Sequence, residues 1–379
     1  MIKYINEPKK EELDGKKILL RVDFDVPIIA GKITEDFRIK AQKETIDHLI
    51  GAGARVLMVG HLGHEVSDAS FYPIIEELGE ILGQTLTLVP HSELNEVNKL
   101  FKASPLLLLD NIRQDSREVN NDEGFARELA EGFDYYVNDA FAVMHRNHAS
   151  VVAITKYLPS YAGFLIKKET ENLLQALEAP AGDKILVLGG AKISTKLPVI
   201  KNFLDKAEKI LIGGAIANNF FKAQGINVGA SLIDSETILD IKSDKLILPE
   251  DLMISDDRTG QSGAELYPVK DIVSNQLILD IGQETAKHFA EIIREAKTVI
   301  WNGPMGLSEI DTFAEGTRLI AKAVVSVGRS IVGGGDTIAA IDKLGLLDSY
   351  KFVSTGGGAM LEFLAGNKLP GLEALGYYG

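Results

Sequence analysis

Ile185-Leu186-Val187-Leu188-Gly189-Gly190-Ala191-Lys192-Ile193-Ser194-Thr195-Lys196 is the stretch on which the fold turns. Four aliphatic residues run unbroken into two glycines, and a lysine-bearing segment follows. That is the form of a buried parallel strand handing the backbone to a helix start, where bare N–H groups and the helix dipole attract phosphate. The pattern recurs further along. Ile210-Leu211-Ile212 meets Gly213-Gly214, and Thr298-Val299-Ile300-Trp301 meets Asn302-Gly303. Ser330-Ile331-Val332 meets Gly333-Gly334-Gly335, and Phe352-Val353-Ser354-Thr355 meets Gly356-Gly357-Gly358. Turns of this kind on one sheet place several phosphate-compatible loops along a single rim.

Working back from there, the first half also reads as α/β. Residues 17–22, 55–59, 106–109 and 134–137 are strand-like, and residues 39–50 and 72–82 carry helical spacing. Strands alternating with helices imply right-handed crossovers and a parallel sheet. Between the halves, residues 164–177 form a continuous helical pattern ending at Ala179-Pro180, and no Gly/Ser-rich tract suggests a loose linker. The apolar tail around Leu369-Pro370-Gly371-Leu372 is suited to docking.

Composition narrows the function. A chain of 379 residues with 45% hydrophobic content can bury substantial cores, and its length favours two domains. A net charge of -14 argues against a broad nucleic-acid footprint, and no run reaches the roughly 18 apolar residues of a membrane helix. The absence of cysteine excludes disulfides, thiol nucleophiles and Cys-ligated zinc. With no apolar signal-like stretch at Met1-Ile2-Lys3-Tyr4-Ile5-Asn6, a cytoplasmic protein is expected. The halves differ in kind. Residues 181–379 hold 25 of the 36 glycines, whereas residues 1–150 hold six of the seven histidines. One half is built around backbone loops, the other around cationic side chains.

Each motif has a functional and a plain reading. Lys192 and Lys196, at i and i+4, share one side of a helix start and would grip a polyphosphate, or they are merely solvated. Neither the Walker spacing nor Gly-x-Gly-x-x-Gly occurs. Asp336, in Gly333-Gly334-Gly335-Asp336-Thr337, is an N-cap or a ligand of phosphate-bound Mg2+. Gly356, Gly357 and Gly358 offer backbone N–H groups alone, or form a tight turn. Glu309 accepts from ribose hydroxyls or is solvated. In the first half His61, His64, Arg113, His145, Arg146 and His148 all follow strands, and Arg38 opens a helix. Converging at the carboxyl ends of parallel strands, they suit a small polyanion. Zinc at His145-x-x-His148 is disfavoured by the adjacent arginine.

Together these motifs resemble the phosphoglycerate kinase family, essentially end to end. The carriers are Arg21-Val22-Asp23-Phe24-Asp25-Val26-Pro27, Arg38-Ile39-Lys40, His61-Leu62-Gly63, Asn138-Asp139-Ala140-Phe141 and His145-Arg146-x-His148-Ala149-Ser150. Gly189-Gly190-Ala191-Lys192, Trp301-Asn302-Gly303-Pro304, Gly333-Gly334-Gly335-Asp336-Thr337 and Ser354-Thr355-Gly356-Gly357-Gly358-Ala359 complete the set. The resemblance implies two Rossmann-like, doubly wound parallel-sheet domains. The first would span 1–158 with tail 364–379 returning to it, a helix at 159–179 would follow, and the second would span 180–363. It implies 3-phosphoglycerate bound by Asp23, Asp25, Arg38, His61, His64, Arg113 and Arg146. ATP or ADP with Mg2+ would be bound by Lys192, Lys196, Gly213, Gly214, Asn302, Pro304, Glu309, Gly335, Asp336 and Thr337, with Asp336 on the metal. Transfer would be in line, between ATP and the acid's carboxylate, after hinge closure. Arg38, Lys196 and the N–H groups of Gly356, Gly357 and Gly358 would stabilise the transferring group. A monomer acting on small molecules, without nucleic acid or membrane, is implied.

Two positions depart from the family's pattern. Asp25 stands where asparagine is usual, and His64 where arginine follows His-Leu-Gly. The first replaces an amide with a carboxylate, and the second loses a fixed fork of donors. Either His64 protonates beside Asp25 in compensation, or the acid site is weakened or retuned. The expectation is a raised KM for 3-phosphoglycerate that improves towards pH 6. The alternative is a non-catalytic nucleotide-binding protein on the same scaffold, or a kinase for another small carboxylate.

Overall fold

The computed structural model describes every residue except 64, 65, 236, 238, 273 and 274. By contacts the chain divides into two compact units, Met1–Glu171 with Lys368–Gly379, and Asn172–Asn367.

The first unit carries β1 (Lys17–Arg21), α1 (Phe37–Gly51), β2 (Arg55–Val59), α2 (Ile75–Leu82), β3 (Thr87–Val89), β4 (Leu106–Leu109), α3 (Glu123–Ala130), β5 (Tyr135–Asn138) and β6 (Ser160–Ala162). These strands form one parallel sheet in the order β3-β4-β2-β1-β5-β6, and Ile28–Ile29 and Lys32–Ile33 pair separately as a short antiparallel hairpin. All four leucines of β4 are buried, as expected of a strand covered on both faces. Gly83, with φ +68°, ends α2 in the left-handed conformation that a glycine adopts without strain. From β1 the sheet grows through β2 in one direction and through β5 in the other. That reversal opens a crevice beyond the carboxyl ends of β1 and β5.

Helix α4 (Phe164–Glu178) begins in the first unit and ends in the second. The second unit then runs β7 (Lys184–Leu188), α5 (Ile193–Phe203), β8 (Lys209–Ile212), α6 (Gly214–Ala223), β9 (Leu246–Ile247), β10 (Asp251–Ser255), β11 (Glu265–Pro268), β12 (Leu277–Ile281) and α7 (Gln283–Glu295). It continues with β13 (Thr298–Asn302), α8 (Glu315–Val325), β14 (Arg329–Gly333), α9 (Gly335–Lys343), β15 (Phe352–Ser354) and α10 (Gly357–Leu364). The parallel sheet is ordered β9-β8-β7-β13-β14-β15, the Rossmann arrangement, with its reversal between β7 and β13. All five strand-to-glycine turns belong to this sheet. The antiparallel trio β11-β10-β12, unforeseen in the sequence, is inserted before α7. Trp301 and Phe289 anchor the core of the unit.

The tail returns to the first unit, where its helix α11 (Pro370–Ala374) buries Leu372 and the Gly371 N–H donates to the Met144 carbonyl at 2.9 Å.

Candidate active site

In the first unit the chain leaves β1 through Arg21, Asp23 and Asp25, and helix α1 brings in Arg38. The Arg38 Nη1 donates to the Asp25 carbonyl at 2.9 Å and lies 3.9 Å from Asp23 Oδ2. Asp23 is buried, and its Oδ2 finds no hydrogen-bond donor among the described residues. Burial pushes its carboxyl up from the ordinary value, with Arg38 opposing. A buried acceptor left open is costly.

His61 follows β2 and is buried. Its Nδ1 lies 3.3 Å from Arg21 Nη2, and because a guanidinium only donates, Nδ1 accepts and the ring proton sits on Nε2. Burial first, then Arg21 and Arg113, hold the imidazole neutral, well below its usual range. Its Nε2 lies 3.8 Å from Asp25 Oδ2, while Asp25 Oδ1 accepts from the Gly63 N–H at 2.9 Å. Arg113, after β4, donates to the Gly63 carbonyl, and burial foremost lowers its pKa to about 10. Asp25 and Arg113 therefore clasp the same residue, one by its N–H and one by its carbonyl. Arg146 is exposed after β5, and its charge is felt by Arg113 and His148. His148 is pushed down to about 3, mainly by burial and by the arginines. His64 lies outside the described residues, so the expected Asp25–His64 pairing has no geometry here. The described histidines His61 and His148 stay neutral through the physiological range, and the site's positive charge comes from arginine.

Arg21, which opens the motif at the end of β1, belongs to the site as well. It is fully buried, donates from Nε to Ser150 Oγ at 2.8 Å, and Ser150 Oγ donates in turn to the buried Glu118 at 2.6 Å. A charged residue closing the apolar run Ile18-Leu19-Leu20 was the available signal.

In the second unit the turns after β7, β8 and β13 interlock. Gly190 N donates to the Pro304 carbonyl at 2.8 Å, and Gly214 N to the Met305 carbonyl at 2.8 Å. A Cβ at Gly189 would collide with the Pro304 carbonyl, and one at Gly303 with the Gly189 carbonyl. Gly190 and Gly303 also take φ +80° and +94°, which disfavour any side chain. Gly213 caps α6 and its N–H donates to the Leu188 carbonyl at 2.8 Å.

Beside this floor lies a pocket of about 160 Å3. Leu232, Leu277, Leu279 and Leu307 line it together with Glu309, Gly190, Gly214 and Asp336. Lys196 on α5 is buried near Gly190, and burial lowers its pKa against the opposing pull of Asp336. Lys192 is exposed at the N-cap of the same helix. Asn302 is buried with its Nδ2 unsatisfied among the described residues. Thr337 Oγ1 is occupied, accepting from the Gly303 N–H at 2.8 Å. Asp336 is exposed on α9, with Gly335 beside it, and makes no capping bond. That geometry removes the plain N-cap reading. Gly356, Gly357 and Gly358 open α10, with Gly357 at φ +35°. Among the described residues no cluster of three acidic or histidine side chains could hold a metal ion by itself. A single carboxylate suits Mg2+ carried largely by phosphate oxygens.

Arginines gathered beyond the strand ends of one parallel sheet and a pocket with glycines and leucines in its lining beside another fit a class: the two-unit α/β small-molecule kinases. The phosphoglycerate kinase family model matches residues 9–367. The phosphoglycerate kinase of Moorella thermoacetica is 41% identical over 384 residues, covering 97% of this chain and 98% of that one. That of Roseiflexus castenholzii is 44% identical over 382 residues, covering 95% and 96%. Among solved structures, phosphoglycerate kinase from Coxiella burnetii superposes with a TM-score of 0.81 at 35% identity, covering 100% and 99%. The Pyrococcus horikoshii OT3 enzyme gives 0.87 at 31%, covering 99% and 98%. The chain belongs to the phosphoglycerate kinase family.

Proposed function

We propose that this protein transfers the γ-phosphoryl group of ATP reversibly to the carboxylate of 3-phosphoglycerate, giving 1,3-bisphosphoglycerate and ADP. The observation that carries the reading is the second unit's pocket, lined by Gly190, Gly214 and Asp336 with Lys196 beside Gly190, in a chain that matches the family over residues 9–367.

The acid's carboxylate is already ionised at neutral pH, so attack on phosphorus needs no general base. What the reaction needs is alignment, and neutralisation of charge spread over the transferring oxygens. Arg38, Arg113 and Arg146 supply cations for the acid, and His61 offers a neutral Nε2–H donor. The open Asp23 Oδ2 accepts from the substrate hydroxyl. In the second unit the pocket's leucines take the base, Glu309 accepts from ribose, and Pro304 walls the slot. Gly213, Gly214, Gly335, Asn302 and Lys192 surround the phosphates, and Thr337 fixes the Gly303 turn. Lys196, a buried lysine whose charge is costly until a phosphate arrives, stabilises the transferring group with Arg38 and the N–H groups of Gly356, Gly357 and Gly358. Asp336 would hold Mg2+, which shields charge on the nucleotide phosphates. Direct transfer brings the two half-sites together, and helix α4 is the hinge we assign. The protein acts as a cytoplasmic monomer.

The deciding experiment supplies 3-phosphoglycerate, ATP and magnesium to the purified protein in an assay coupled to 1,3-bisphosphoglycerate reduction. Turnover is expected. Nucleotide binding with no turnover would refute the reading, and turnover only with another acid would reassign the substrate.

A further inference from the structure

Asp280 is a buried carboxylate in the wall of the nucleotide pocket, and the chemistry above gives it no task. It sits in the apolar run Leu277-Ile278-Leu279-Asp280-Ile281 of β12. One oxygen accepts from the Ile281 N–H at 2.9 Å, and the other from the Gly316 N–H at 2.8 Å. Gly316 lies in the first turn of α8, whose N-cap Ala314 provides no side-chain cap. Asp280 thus caps that helix from a distant strand by accepting one of its otherwise unpaired N–H groups. It also faces the loop between β13 and α8, because a Cβ at Gly306 or Gly316 would strike its carboxylate.

That loop carries Pro304, Leu307 and Glu309 to the pocket. Besides the bonds already described to Gly190, Gly214 and Thr337, two anchors hold it: the Met305 N–H donates to Thr317 Oγ1 at 2.9 Å and the Leu307 N–H to the Leu279 carbonyl at 2.7 Å. Both anchors flank Asp280, in the helix turn it caps and the strand it closes. We propose that Asp280 is a positioning residue for the nucleotide: it locks strand β12, the Gly303–Glu309 loop and the start of α8 into the shape of the base-and-ribose slot. The proposal rests on the kinase reading above but concerns nucleotide binding alone.

The test compares wild type with Asp280→Asn, which keeps volume but offers one oxygen to two N–H donors, and with Gly306→Ala, which crowds the carboxylate without altering it. Folding is checked by thermal melting, steady-state constants are taken for both substrates, and ADP binding is measured by calorimetry. In a folded variant the KM for ATP and the Kd for ADP should rise about tenfold or more, as a buried N–H left without an acceptor implies, while the KM for 3-phosphoglycerate stays within about twofold. Unchanged nucleotide constants, or equal losses for both substrates, would overturn the proposal. Failure of both variants to fold would do so too, by making Asp280 a stability residue. Wild-type protein that binds ADP but does not turn over would sink the kinase reading and leave this one standing or falling on the ADP constants.

Discussion

Replacing Asp25 by asparagine should tighten 3-phosphoglycerate binding. The Asp25 Oδ2 lies 3.8 Å from His61 Nε2. A substrate oxygen accepting from that nitrogen would be about 2.8 Å beyond it, hence no more than about 6.6 Å from the carboxylate oxygen. At about 6 Å, two like charges repel by about 3 kcal/mol with an effective dielectric constant near 20, and by half that if solvent doubles the constant. The Asp25 side chain is 21% exposed, so the lower value applies. About 1.4 kcal/mol is a factor of ten. Asparagine can keep its Oδ1 on the Gly63 N–H, which preserves the clasp that holds the loop. The expected result is a KM for 3-phosphoglycerate about tenfold lower in Asp25→Asn, with the KM for ATP unchanged and kcat within about twofold. Initial rates at pH 7.5 and low ionic strength would show it, and added salt should shrink the difference. A KM that stays put or rises would refute the reasoning, since it would mean that the carboxylate's hold on Gly63 outweighs its charge.

Arg38→Ala should lower kcat by about a hundredfold or more, because its guanidinium stabilises the transferring group, and a milder loss would remove it from that role. Asp336→Ala should raise the Mg2+ concentration for half-maximal rate by about tenfold while leaving the melting temperature in place, since Asp336 is exposed and makes no cap. Chelation by EDTA should abolish turnover. Asp139 is buried, and burial raises its carboxyl to about 7. Between the unfolded value near 4 and about 7 only the folded state keeps the proton, so stability from this group falls as pH rises through that window. Asp139→Asn should therefore gain about 3 kcal/mol relative to wild type between pH 5 and pH 8 in urea titrations, and a flat difference would show that the carboxyl ionises without penalty.

Five of the six parallel strands of the second unit were legible because each runs into a glycine turn, a signal confined to a few residues; β9, only Leu246–Ile247, has no such turn. The trio β10, β11 and β12 was not. Strand β11 is exposed at Glu265, Leu266 and Pro268, so it carries no buried run to detect. Strand β3 is three residues long, too short for any period to emerge. The order of strands in either sheet is a matter of long-range pairing that local pattern does not encode. In the site, residue types at strand ends pointed to a polyanion, but the His61 tautomer depends on Arg21, forty positions away in sequence. Asp280 escaped notice because a lone acid within an apolar run has no local partner. Its partners, Ile281 aside, come from α8 and from the loop before it.

The first unit is a discontinuous structure: its last segment, Lys368–Gly379, follows all of the second unit along the chain. On the ribosome, residues 172–367 can reach their native contacts while the earlier unit still lacks a piece, since domains tend to fold as they emerge. Until Gly371 and Leu372 arrive, the surface around Met144 and Val151 stays uncovered. Maturation of the amino-terminal unit is thereby made to wait on the carboxyl-terminal residues. A nascent chain stalled before Lys368 should expose that apolar seam to chaperones even though its sheet is fully synthesised.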